Sequence, residues 1–196
     1  MNQKKHTKTN HEAALILCFS EIIKEDSKFG IKTTTNIGSD SAFHSDIEYL
    51  SNANEYLIIE AKSHESKDAY NTRHKIFGQL LKEHGKTNDS REKHANAIAL
   101  GILIPKDKTT SGKSNTNTSG YDFYRNGYLS IPEPLFTGFG ELANVKYVFI
   151  CSVIERTIEI YTWPGFRAGH LPIHSIFTST ASIDKTEKHS PLSAQT

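Results

Sequence analysis

Two acids and a lysine, Asp46, Glu60 and Lys62, stand at spacings that could do chemistry together. Glu60 closes the apolar run YLIIE, and Lys62 follows two residues later. Side chains alternate faces on a strand, so Glu60 and Lys62 share one face with Ile58, while Leu57, Ile59 and Ala61 take the other. Upstream, SDIEYL at 45–50 reads as a partner strand, joined through the polar turn SNANE centred on Ala53. Pairing about that centre sets Leu50 opposite Tyr56, Glu48 opposite Ile58 and Asp46 opposite Glu60. Opposed residues lie about 4.5–5.5 Å apart at Cβ, where two carboxylates repel unless positive charge stands between them. A divalent cation meets that need, and Mg2+ prefers one or two carboxylates plus phosphate oxygens. With Lys62 beside it, the set holds the parts for metal-assisted cleavage of a phosphodiester.

The elements that must position these residues can be read on either side. Residues 10–25 carry Leu15, Ile16, Phe19, Ile22 and Ile23 at helical spacing, and Thr9 with Glu12 matches a capping box. IKTTTNI at 31–37 is a β-branched strand, followed by a polar loop at 38–44. Residues 70–84 read as a second helix with Tyr70, Ile76, Phe77, Leu80, Leu81 and His84 near one stripe and Gly85 as a stop. A charged connector, NDSREKH, leads into AIALGILI at 97–104, a strand apolar enough for a sheet centre that Pro105 ends. Residues 106–120 form a long polar loop bearing Lys106, Lys108 and Lys113. An aromatic segment follows with Tyr121, Phe123, Tyr124 and Tyr128. KYVFICSVI and TIEIYTW then read as a hairpin turning at Glu155–Arg156.

Asp46 followed after a hairpin by Glu60-Ala61-Lys62 resembles the D…(D/E)xK signature of the PD-(D/E)xK nuclease superfamily, with Ser45 where a proline usually precedes the Asp. The resemblance covers about residues 9–104. It implies an α/β fold in which a mixed central sheet is flanked by helices, a restriction-endonuclease-like core. It also implies that Asp46 and Glu60 bind Mg2+ (Mn2+ substituting) with help from the Ala61 carbonyl, and that Lys62 orients or deprotonates water or stabilises the phosphorane. Glu12 matches the first-helix glutamate that completes the metal site in many such families, although the capping box explains it equally. Gln79 matches a glutamine often placed near the site, and reads otherwise as a polar residue beside an apolar stripe. Glu21, on the other helix face, is the weaker acid.

From 62 to 94 the chain carries eight Lys or Arg against five acids, so Lys82 and Lys86 could meet phosphate beside the site or simply solvate a helix face. His170 and His174 bracket a proline that argues against a helical zinc site. The expected organisation is an arm at 1–8, one domain at 9–177 (core 9–104, additions 105–177) and a tail at 178–196.

Net charge is +1, so any basic surface is local, and 196 residues suit one domain. Cys18 and Cys151 lie in apolar runs and read as buried thiols of a cytoplasmic protein. No apolar run nears the ~20 residues that span a membrane. The expected function is Mg2+-dependent, restriction-type cleavage of duplex DNA by a homodimer, with the lysine loop and aromatic segment reading sequence. A structure-selective resolvase or repair nuclease is an alternative. So is a non-catalytic nucleic-acid-binding or assembly protein.

Overall fold

The computed structural model describes residues 10–39, 41–64, 69–108 and 118–178. The expected arm, the tail beyond Thr178, Thr9 of the capping box and Lys113 lie outside the described residues. In chain order the elements are α1 (Asn10–Ile23), β1 (Ile31–Ile37), β2 (Ile47–Ser51), β3 (Tyr56–Ala61), α2 (Ala69–Glu83), α3 (Asp89–Lys93), a 3-10 turn (Ala95–Ala97) and β4 (Ile98–Pro105). Then come α4 (Gly120–Leu129), α5 (Glu133–Leu142), β5 (Val145–Ser152), β6 (Thr157–Thr162), α6 (Trp163–Ala168) and β7 (His174–Phe177).

The seven strands form one sheet whose spatial order equals their order in the chain. β3, β4 and β5 run parallel, and the flanking pairs are antiparallel. Parallel neighbours need a crossover, and the helices α2–α3 and α4–α5 supply the two required. The fold is thus α/β with a mixed sheet, as expected from the run of elements.

The strands at the sheet centre are covered on both faces, which explains why β3 and β4 are nearly unbroken apolar runs. Tyr56, Ile58, Leu100, Ile102 and Ile104 pack under α2, α4, α5 and α6, whereas Leu57, Ile59, Ala61, Ala99 and Leu103 face α1. The α1 stripe read from spacing is the buried one, Leu15, Ile16, Phe19, Ile22 and Ile23. Gly101 sits where a Cβ would lie 2.9 Å from the Phe149 ring, so the α1 layer closes over a position that takes no side chain. Each such buried Leu, Ile or Phe is worth about 1.5–3 kcal/mol.

Several expectations are corrected. The aromatic segment does not present most of its rings to solvent. It is helix α4, with Phe123, Tyr124 and Tyr128 buried, because their i, i+1, i+5 placement turns all three rings towards the sheet. The α2 stripe is narrower than spacing suggests: Ile76 and Leu80 are buried, while Tyr70 and Leu81 turn outward. The connector NDSREKH contains α3, capped by the Asn88 side chain on the Arg91 amide, and Arg91 itself is buried. Pro105 is itself the last residue of β4, one position beyond the strand read at 97–104. Cys18 and Cys151 are both buried and both free thiols.

Candidate functional site

The β2–β3 hairpin has the register read from the sequence. Leu50 pairs with Tyr56 and Glu48 with Ile58, and the ladder ends at Ile47–Ile59. The turn closes through the Ser51 amide on the Glu55 carbonyl at 2.8 Å, with Asn54 at φ 61°, a left-handed conformation that asparagine tolerates. Beyond Ile47 the chain leaves the ladder. Asp46 is therefore not a regular cross-strand partner of Glu60, and its Oδ2 instead accepts the Ala61 amide at 2.9 Å.

The expected residues nevertheless converge, and Lys62 lies among them. Its Nζ donates to the Ala61 carbonyl at 2.7 Å. It lies 3.5 Å from Glu12 Oε1, 3.8 Å from Asp46 Oδ2 and 3.9 Å from Glu60 Oε2. The four side chains are only 6–15% exposed. The β3 backbone is continued past Ala61 by the Lys62 amide on the Leu103 carbonyl, 2.9 Å, which fixes where the lysine starts. Glu12 arrives from the first turn of α1, so the helix that covers one sheet face also delivers a third acid. Glu21 lies elsewhere, paired with Arg156 at 2.9 Å.

Electrostatics in this cluster are unbalanced. Burial pushes the Glu60 carboxyl up to about 8, and the charge of Asp46 pushes the same way against the opposing pull of Lys62. Three acids share one ammonium. Desolvated acids with too little positive charge around them are a setting that a divalent cation relieves. Among the described residues no three His, Cys, Asp or Glu side chains are gathered closely enough to hold a metal. The donors that fit a hard cation are two carboxylates, Asp46 and Glu60, with the Ala61 carbonyl, and Mg2+ keeps its other positions for water or phosphate.

Sequence reasoning missed two parts of the surroundings. Ser45 is buried, and its Oγ lies 2.9 Å from the Ile59 carbonyl and 2.9 Å from Glu60 Oε1. Behind it is a buried ion network. Arg91 Nη2 bonds both Glu48 Oε1 and Glu83 Oε2, and Lys86 Nζ reaches Glu83 Oε1 at 2.6 Å. The signal for Glu48 was present, since it faces Ile58 inside a strand buried on both sides. Nothing in a polar connector marks Arg91 as its partner.

The remaining expected residues are scattered. Gln79 is half-buried on α2, and its Oε1 is buried with no hydrogen-bond partner. Lys86 is committed to Glu83 and to the His44 carbonyl at 2.8 Å, so it is not free for phosphate. Lys106 is held by Glu155 at 2.9 Å and Glu159 at 3.1 Å. Lys82 and Lys108 are exposed. A cleft of about 180 Å³ opens beside the cluster, with His11, Ser63, His64 and Lys108 in its walls. No family model, curated protein or solved structure matches the chain.

Proposed function

We propose that this protein is a divalent-metal-dependent endonuclease acting on DNA, with a core like that of the PD-(D/E)xK nucleases. The observation that carries the reading is the convergence of Glu12, Asp46, Glu60 and the Ala61 carbonyl on Lys62 at the end of β3. The order helix, strand, hairpin, helix, strand supports it. Asp46, Glu60 and the Ala61 carbonyl would hold Mg2+, with Glu12 paired to Lys62 beside them. The bound ion would lower the pKa of water and neutralise charge on the phosphodiester.

The chain's own groups have distinct tasks. Lys62 Nζ orients the attacking water or balances charge at phosphorus, for which its place between the acids and the Ala61 carbonyl suits it. The Ala61 amide fixes one Asp46 oxygen. Ser45 contacts one Glu60 oxygen. Burial of the α4 aromatics withdraws a base-reading surface, which favours a structure-selective nuclease over the restriction-type reading.

The test incubates the purified protein with plasmid, branched DNA and RNA, with and without Mg2+. Metal-dependent cleavage of DNA is expected, discrete plasmid fragments marking a restriction enzyme and selective branched-DNA cutting a resolvase. Lys62→Ala should abolish it, a loss of at least about 100-fold. Binding of DNA without cutting under Mg2+ or Mn2+ would instead make the protein a non-catalytic binder and overturn the reading.

A further inference from the structure

We infer that Ser45 is a positioning residue for Glu60, itself held in place by a buried ion network that reaches from α3 through β2 to the acid cluster. The inference rests on the proposed metal-dependent reading and adds to it a residue outside the acid–lysine motif.

The chain of contacts is continuous and buried. Arg91, 5% exposed in its side chain, forks between Glu48 and Glu83. Its Nη1 also donates to the Glu83 carbonyl at 2.6 Å, so the guanidinium is tied to the end of α2 as well as to β2. Glu48 is fully buried. Its carboxylate accepts from Arg91 Nε at 3.3 Å and Tyr56 Oη at 3.1 Å. A carboxylate so held is a fixed acceptor. It takes the Ser45 amide at 2.5 Å, and thereby sets the backbone from which the Ser45 hydroxyl projects.

That hydroxyl meets Glu60 Oε1 at 2.9 Å. The other oxygen, Oε2, is the one nearest Lys62. Ser45 thus selects which Glu60 oxygen is turned to the cluster and limits rotation of the carboxyl group. The serine hydroxyl carries one proton and stands between two acceptors, the Ile59 carbonyl and Glu60. Groups that orient metal-binding carboxylates in this way are typically worth about 10–100-fold in metal affinity or activity.

Replacing Arg91 would strand two buried acids and risks unfolding the chain, so the test uses Ser45. Mn2+ binding to the full chain is measured by calorimetry without DNA, alongside the melting temperature of the metal-free protein. Ser45→Ala is expected to weaken Mn2+ binding about 10-fold with a cooperative melting transition retained. Ser45→Thr, which keeps the hydroxyl, is expected to recover most of the affinity. A merely structural serine would alter melting and leave the affinity of the folded protein unchanged. Wild-type affinity in Ser45→Ala would overturn the positioning role while leaving the metal reading intact. Absence of Mn2+ binding by the wild-type protein would overturn both.

Discussion

Glu60 shows at the scale of one residue how burial and charge are coupled. Its folded-state carboxyl titrates near 8 because it is desolvated beside Asp46, whereas an unfolded chain leaves it at the ordinary glutamate value of 4.5. Between those values the folded protein binds the extra proton, so stability falls as pH rises through that window. In metal-free protein Glu60→Gln should therefore be stabilising at pH 8.5, by on the order of 2–3 kcal/mol, and nearly neutral at pH 4.5. Denaturant unfolding at the two pH values decides it, and equal effects at both would mean the acid is not strained. Ser45 follows the same logic. A proline there would have no N–H for Glu48 and no hydroxyl for Glu60, so the departure from the D…(D/E)xK pattern has a local physical reason in the contacts this serine makes.

Among the elements, those legible in the sequence are the ones whose pattern is simple. The α1 stripe, the β2–β3 register and the β5–β6 hairpin follow from spacing and turn chemistry alone. Helix α5 does not, because EPLFTGFGEL carries a proline and two glycines that count against a helix. Pro134 is tolerated in its first turn. Gly140 is required because a Cβ there would lie 2.4 Å from Trp163 Cδ1. That indole stacks on Phe136 at 4.3 Å, a pairing of residues distant in sequence that no local pattern announces. The Arg91 network was illegible for the same reason, its partners lying on β2 and α2.

Asp26 makes the corresponding link between the first connection and the last strand. It caps the turn before β1 through the Phe29 amide at 2.7 Å and meets His174 Nε2 of β7 at 2.7 Å. Burial opposes ionisation of Asp26, but the His174 contact and the backbone amides prevail and lower its pKa. A depressed carboxylate contributes stability above its unfolded value and loses it as pH falls through the folded one. Asp26→Asn should thus cost about 1–2 kcal/mol at pH 6 and progressively less below pH 4. A pH-independent cost in denaturant unfolding would assign the effect to packing.

Over the whole molecule, a net charge of +1 means that the proposed attraction to nucleic acid would rest on particular lysines. Those expected from sequence are not equivalent once folded. Lys108 is exposed, while Lys106 is held between Glu155 and Glu159. Lys108→Ala should reduce the salt dependence of DNA binding by about one unit of slope, and Lys106→Ala by much less. Binding isotherms across a salt series test this, and equal slopes for the two variants would remove the distinction. No helix among the described residues is long and apolar enough to cross a membrane.

The sheet's spatial order has a consequence for how the chain acquires its structure. Because each strand lies beside the next one made, the antiparallel neighbours pair across short connections, while β3–β4 and β4–β5 pair only after their helical crossovers are made. Helix α1 is the exception. It precedes every strand in the chain, yet Cys18 and Phe19 pack in one cluster with Phe149, Cys151, Ile158 and Ile160 of β5 and β6, and α1 also touches β7. Its apolar face is therefore not fully covered until β5, β6 and β7 have emerged. During biosynthesis the helix that brings Glu12 to the cluster would be the last to dock, and the acid cluster would be completed only when the sheet already stands.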